Sequence, residues 1–417
     1  MAEAQRSGTV TQPNFHIKHA TVVTPPDGCL DDVAERLVQA VYARFGVQPA
    51  IVAGDSALIG IPTRHVIALG CLADNPFVAT LYHHWQTLVD RWYPGTGGWV
   101  LQFIRSPQRQ GDHVLLLGGS DPQGVAAVTA RFIEQFEASA DGLIGWQLQV
   151  QLGRDHEPLP ADRMDCLGTS ASPILTPESD LPTTPYACGF VGGSARDHLL
   201  RLGMYGPHAD NFHLSRSSQF GLRYLYTGRI EDAQDYRTTL LEEARSGALQ
   251  RLYHYKSIRM FQLWAVLGDC PVFAEEERTR ITAAIRCYLL EESGVASRNT
   301  IQAASGGTEI FSRHIACDAL NLWVGADWLR RTTGERRWLD ERAVADAYFE
   351  AQVGTDVPLT GLTEGYASYL EVYLEWMLLC HPERIADDPH IRLWAERVIG
   401  LCTNPGQLVM GPQTDAS

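Results

Sequence analysis

Several common signatures are missing from this sequence. No Cys-x-x-Cys pair occurs among the nine cysteines, at positions 29, 71, 166, 188, 270, 287, 317, 380 and 402. That removes the usual framework of a structural zinc site. Their odd count and irregular spacing fit reduced, mostly buried thiols in a reducing compartment. No apolar run reaches the length of a membrane-spanning helix. The opening "MAEAQRSGTVTQPNF" lacks the apolar core of a signal peptide. The expected location is therefore cytoplasmic, with secretion or the periplasm left open for a trimmed N-terminus. Positive charge is in deficit: the formal net charge is -15, which opposes non-specific nucleic-acid binding. Neither a nucleic-acid nor a membrane partner is expected, and an anionic substrate would need a local basic pocket. Neither a Walker A loop nor a GxGxxG fingerprint is present.

What is present is globular in composition, with 45% hydrophobic and 20% charged residues over 417 positions. That length suits two or three domains. Residues 15–150 alternate strand and helix signals. "FHIKHATVV" (15–23), "PAIVAG", "RHVIALG", "WVLQFIR" and "HVLLLGG" read as strands, several of them apolar runs stopped by Gly. Helices are expected at 29–46, 75–93 and 124–137. This is an α/β layer domain. Residues 151–190 are rich in Pro, Ser, Thr and Asp and read as a linker or strap. Residues 1–14 read as a disordered N-terminus.

From about 191 to 417 the signals are helical, at 194–204, 212–227, 230–247, 251–267, 274–292, 309–333, 337–352, 364–380 and 388–402. Turns such as "YTGRIEDA" and "TTGERRWLDE" stop one helix at Gly and start the next with acidic residues. Antiparallel helix pairs of this kind build an α/α array.

Four stretches can carry chemistry. The glycine segment Gly118-Gly119-Ser-Asp-Pro-Gln-Gly124 joins a strand to a helix, where backbone N–H groups can meet a phosphate; a tight structural turn is the competing and favoured reading. In "SRNTIQAASGGTEIFSRHIACDALNLWVGADWL" (297–329) the first half reads as a loop, with Asn299 as a binding candidate. His314, Asp318, Asn321 and Gly325 then form a polar stripe on an apolar helix, with Arg313 beside them as a cation for a carboxylate. The stripe marks a site, or else a solvated face or a hydrogen-bonded core histidine. In "MYGPHADNFHLSRSSQFGLRYLYTG" (204–228), His208, Asn211, His213 and Arg216 stand at a loop-to-helix junction, either as ligands or around a plain N-cap. In "GLTEGYASYLEVYLEW" (361–376), Tyr369, Tyr373 and Trp376 read as core. Glu364 and Tyr366 lie in the first turn, where a phenol can reach a cleft. "RLYHYKSIRMFQLW" (251–264) adds His254, Tyr255, Lys256 and Arg259, read mostly as surface residues, with one face able to line the same cavity.

The strand, Gly-Gly turn and helix near 118–137 resemble the close of the accessory α/β domain of family 20 hexosaminidases and α-glucuronidases. The helical part, over about 190–402, resembles the (α/α) toroid of polysaccharide lyases of the heparinase II/III and alginate lyase type. "SRHIACDALNLWVGADWLRRTTGERRWLDE" is similar to their His-bearing helix, and the Gly-Tyr-x-x-Tyr start at Gly365 to their tyrosine-bearing helix. The Asn-His dipeptide often seen in that family is absent; Asn211-Phe-His213 is the nearest match. Fewer helices are legible here than a closed toroid of that family has.

The resemblance implies a multidomain α/β plus all-α protein: a small α/β sandwich at 15–150, then an (α/α) toroid of antiparallel hairpins at 191–417. It implies β-elimination of a uronic-acid-containing polysaccharide or oligosaccharide, with no cofactor and no metal required. Tyr366, His314, His213 and Asn211 would be catalytic. Arg313, Arg216, His208, Asn299, Glu364 and Tyr255 would bind substrate. The alternatives are a glycoside hydrolase on the same toroid, using two of Glu309, Asp318 and Glu364, or a non-catalytic helical-repeat binding module.

Overall fold

The structure is a computed structural model. It describes residues 15–59, 65–107, 111–138, 141–154, 214–290, 298–305, 313–351, 364–389 and 391–392; the side chains at 58–59, 313 and 364–371 lie outside the description. An α/β part precedes a helix-rich part, as the sequence pattern predicts at that level.

Strands β1 (Phe15–His16), β2 (Ala20–Thr24), β3 (Ile51–Ala53), β4 (His65–Gly70), β5 (Trp99–Ile104), β6 (His113–Gly119), β7 (Leu143–Ile144) and β8 (Leu148–Gln151) lie in the first part. Six of them form one sheet in the order β3-β2-β4-β6-β5-β8, while β1 pairs with β7. β2, β3, β4 and β6 are parallel, and β5 is antiparallel to both its neighbours. The run 15–23 is thus not one strand, because a 3-10 turn at Ile17–His19 separates β1 from β2.

Both sheet faces are buried, which is why the strands read as continuous apolar runs. Val22, Ile67, Leu115 and Phe103 face helices α1 (Asp31–Phe45) and α4 (Pro122–Glu137), with Leu37, Val128 and Phe132 opposite. Val23, Val66, Ala68 and Leu116 face the other way, into a core shared with α3 (Pro76–His83) and the helical part. The short α2 (Gly54–Ile59) packs on α3.

The helix expected over 75–93 ends at His83. Its apolar residues after that point are buried for another reason. Trp85, Leu88, Val89 and Tyr93 insert into the core shared with the helical part. The Asp90 carboxylate holds the segment as a turn, accepting from the Trp92 and Tyr93 N–H groups at 2.8 Å and from the Tyr82 hydroxyl at 3.0 Å.

The glycine turn after β6 closes on itself. Asp121 caps α4 and accepts from Gly124 N and Gly97 N, both at 2.8 Å. The chain's own carboxylate therefore takes the place at the helix N-terminus that a phosphate would need. A Cβ on Gly124 would stand 2.1 Å from the Gly98 carbonyl oxygen. Gly124→Ala should destabilise the chain by about 1–3 kcal/mol, as overpacking does. An unchanged denaturation midpoint would contradict this close approach.

The second part holds α5 (Arg216–Thr227), α6 (Ile230–Arg245), α7 (His254–Leu267), α8 (Glu275–Leu290), α9 (Arg298–Ala304), α10 (Arg313–Thr333), α11 (Arg337–Glu350) and α12 (Glu364–Cys380). α9 was not expected, since 297–307 reads as a loop. Its single apolar edge, Ile301 and Ala304, is buried, and Arg298 pairs with Glu341 of α11 at 2.9 Å. Packing rather than propensity makes this short helix. No helix among the described residues is long and apolar enough to cross a membrane.

Side-chain contacts fix the helix directions. Ser217, at the start of α5, donates to Glu243 at the end of α6, and Tyr224, near the end of α5, meets Cys270 after α7. Ser257 of α7 donates to Asn321 of α10 at 2.7 Å. Trp323 of α10 and Trp376 of α12 both donate to Asp346 of α11, at 2.8 and 3.1 Å. So α5, α7, α10 and α12 run one way, and α6, α8 and α11 run back.

The C-terminal ends of the first set rest on the α/β part. Tyr93 donates to the Tyr226 carbonyl at 2.9 Å, Arg105 pairs with Asp269 at 2.7 Å, and Arg331 donates to the Ser106 carbonyl at 2.8 Å. The N-terminal ends of α5, α7, α10 and α12 therefore gather at the end of the array remote from the sheet.

Candidate active site

At that remote end, the first residue of α7 meets the second residue of α10. His254 Nε2 and His314 Nδ1 are 2.9 Å apart, and the Tyr253 hydroxyl is 3.5 Å from the same His314 nitrogen. Tyr253 lies against His254 with ring centroids 4.1 Å apart and the planes tilted by 36°, and Tyr255 flanks the pair. His254 is only 3% exposed and Tyr255 is buried, whereas Tyr253 is 40% exposed and His314 is open to solvent. A protected imidazole thus backs an accessible one.

The pair is held from behind by Asn321. Its carboxamide donates to the His254 carbonyl at 2.8 Å and to the Cys317 carbonyl at 2.9 Å, and accepts from Ser257. Ser257 in turn meets Tyr288 of α8 at 3.0 Å. Two of these bonds, to the His254 carbonyl and from Ser257, fix the start of α7 against α10, which sets the ring-to-ring geometry. Of the stripe, Asp318 and Asn321 face α7 and the interior, while His314 meets α7 at its exposed end.

Asp318 lies beneath His254, its Oδ1 3.6 Å from His254 Nδ1, with 13% of its side chain exposed. That separation is an ion-pair contact, longer than a hydrogen bond. Among the described residues no hydrogen bond reaches Asp318 Oδ1. Burial pushes its carboxyl up to about 8. The folded chain thus holds this proton more tightly than an unfolded aspartic acid does. Its contribution to stability is full below the ordinary carboxyl value. It falls by at most about 1.4 kcal/mol per pH unit as pH rises, and is lost above the folded value. Asp318→Asn should therefore flatten the loss of stability between the ordinary carboxyl value and about 8, leaving the melting temperature little changed below that window and raised above it. Equal pH slopes in the two proteins would refute the burial argument.

The sequence candidates divide by position. His314 and Tyr255 come together with His254. Arg216 and Asn299 are exposed, in the first turns of α5 and α9. Arg313 opens α10 and Glu364 and Tyr366 open α12, but their side chains lie outside the described residues. His208, Asn211, His213 and Glu309 lie outside them altogether, as do the helices expected at 194–204 and most of 388–402. The contacts that level Trp323 with Trp376 carry His314 to the level of the α12 start. The first turns of α10 and α12 thus share one end of the array.

The stretch 251–264 is corrected. His254, Tyr255 and Arg259 are buried, and Lys256 is half-buried. Arg259 is drawn inside by Glu375 of α12, to which its two terminal guanidinium nitrogens donate at 2.8 and 3.0 Å. Tyr253 and His254 are the site residues that sequence reading left out or left outside. The signal available was the Tyr-His-Tyr cluster at a helix start, and only the fold says what it faces.

A second polar centre lies at the joint with the α/β part. A narrow cavity there is lined by His84, Gln86, Gln262, Trp323, Asp327 and Arg331. Burial would raise the Asp327 carboxyl, but Arg331, His84 and Arg330 outweigh it and hold it down at about 2. Arg330, Arg331 and Arg342 all reach Asp327 within 3.2 Å. Burial keeps His84 neutral, pushed down to about 4. Arg331 also donates to the Ser106 carbonyl, so this centre ties the two parts together.

Compared with known proteins, the chain matches no family model, no curated protein and no solved structure.

Proposed function

We propose that the chain is a polysaccharide lyase that cleaves a uronic-acid-containing polysaccharide by β-elimination, with its helical part as an (α/α) toroid. The observation that carries this reading is the accessible His314 ring, backed by His254 and flanked by the Tyr253 phenol, at the end of the array where four helix N-termini gather. Elimination needs a neutralised carboxylate, a base for the C5 proton and an acid for the leaving oxygen. Histidine and tyrosine supply the last two. Arg216 and Lys256, at the starts of α5 and α7, are the described cations at that end for the first, and they share the field of Glu243.

In this reading His314 takes the C5 proton and Tyr366 protonates the leaving oxygen, with Tyr253, whose hydroxyl is 3.5 Å from His314 Nδ1, as the alternative acid. Asn211, His213 and Arg313 are proposed to hold the carboxylate. His208, Asn299, Glu364 and Tyr255 remain candidates for shaping the groove. The α/β part would be accessory. No step calls for a cofactor.

A hydrolase reading needs two carboxyl groups about 5–5.5 or 6.5–9.5 Å apart across the sugar. Asp318, whose carboxyl burial pushes up to about 8, is the group that favours it, although it lies against His254. Mass spectrometry of the products separates the two. Elimination leaves fragments one water lighter than hydrolysis does, and fragments of hydrolytic mass would overturn the lyase reading.

A further inference from the structure

The three side chains Asp318, His254 and His314 form a line from the interior to the surface: 3.6 Å from carboxylate to His254 Nδ1, then 2.9 Å from His254 Nε2 to His314 Nδ1. A neutral imidazole donates from one nitrogen and accepts at the other, so each ring's tautomer dictates that of the next. Only two uncharged-ring arrangements satisfy the line. With Asp318 ionised, His254 carries its proton on Nδ1, facing the carboxylate. His254 Nε2 then accepts from His314 Nδ1–H, and His314 Nε2 presents a lone pair, as a base. With Asp318 protonated, every proton moves one place outward: His254 carries it on Nε2, and His314 carries it on Nε2, as an acid.

We propose that Asp318, His254 and His314 are a proton relay, in which a proton taken up at His314 Nε2 is matched by one delivered to Asp318. The proposal rests on the lyase reading for the source of that proton. The C5–H bond of the uronate breaks and its proton goes to His314 Nε2. The electron pair becomes the C4–C5 double bond as the bond from C4 to the leaving oxygen breaks. His314 gives its Nδ1 proton to His254 Nε2, and His254 gives its Nδ1 proton to Asp318. No imidazolium is left beside the buried His254. A tyrosine hydroxyl protonates the leaving oxygen, and the reverse transfer through the relay restores that tyrosine. The cycle closes with no oxidant, reductant or added water. Asp318 is then a positioning residue, acting on substrate only through the two rings. The carboxylate contact has to close from 3.6 Å to hydrogen-bond length for the transfer, a motion that the free protein makes if its rings titrate together.

The surroundings of Asp318 leave His254 as its exchange partner. Tyr288 from α8 and Tyr348 from α11 face it, with Cys317 on its own helix, and burial pushes both phenols up, so they stay neutral. Burial pushes the Asp318 carboxyl up to about 8, so the arrangement in which His314 Nε2 is a base gains as pH rises towards that value.

The full chain labelled with 15N-histidine, titrated from about pH 5 to 9 without substrate, tests the relay by the ring-nitrogen shifts that report tautomers. The expected result is one coupled step in which His254 and His314 change tautomer together. In Asp318→Asn that step should vanish or move by at least about one pH unit. Independent ring titrations, alike in both proteins, would overturn the relay. Should Asp318→Asn fail to fold, His314→Gln at the exposed end serves in its place, and an unaltered His254 titration in that variant would equally overturn the proposal. Elimination assays on the same samples keep the two ideas apart. Coupled rings without elimination of any uronate polymer would sustain the relay and sink the lyase reading. Elimination with uncoupled rings would do the reverse.

Discussion

Glu375→Ala should destabilise the chain by about 3–5 kcal/mol, a large part of a typical domain's stability. Glu375 and Arg259 are 2% and 3% exposed, paired through both ends of the guanidinium. Gln262 adds a hydrogen bond to the carboxylate at 3.1 Å, and Trp85 of the α/β part covers the guanidinium with its ring centroid 4.1 Å away. Truncation strands a buried cation in a site shaped for a pair. The magnitude comes from that stranding and not from the worth of the pair, so replacing both partners by apolar residues of similar size should recover most of the loss. Urea denaturation of Glu375→Ala and of Arg259→Met/Glu375→Leu measures both. A single variant as stable as the parent would show that the α7–α12 contact is not formed as described. A double variant no better than the single would show that the pair contributes more than charge balance.

His314→Gln should lower kcat for elimination about 10²–10⁴-fold while leaving stability nearly unchanged. The two halves follow from one fact: His314 is exposed but its ring nitrogen lies 2.9 Å from a buried histidine. Little packing is lost with it, whereas the group that can accept a proton from outside is removed. Tyr366→Phe should also be slow if that phenol is the acid. A His314→Gln enzyme that keeps full rate would move the chemistry elsewhere. One that unfolds would make His314 a structural residue.

The layers of this fold were legible because its sheet is buried on both sides. Apolar runs such as "HVLLLGG", stopped by glycine, have few other uses, and the helical part announces its hairpins through Gly-acidic turns. The misses have a common cause. The stretch 84–93 carries a helix-like apolar pattern, yet its residues are buried by helices from beyond position 214. Its shape is set by Asp90 and by that distant core. α9 exists because α11 supplies a partner for Arg298.

The candidate site shows the same limit. His314 and Asp318 stood out as polar residues on an apolar helix, so half of the site could be read from spacing alone. His254 lies 60 residues away from His314 along the chain, and nothing local says that the start of α7 meets the start of α10. Arg259 in "IRMFQLW" was a legible anomaly, a charge in an apolar run, but its partner Glu375 is 116 residues distant.

The most direct test of the account is ultraviolet absorbance of the unsaturated uronate during incubation with a panel of uronate polysaccharides, the parent chain beside His314→Gln and Tyr366→Phe. The account predicts a rise with at least one polymer that both variants lose. New reducing ends without that absorbance, or a rise that survives both substitutions, would contradict it.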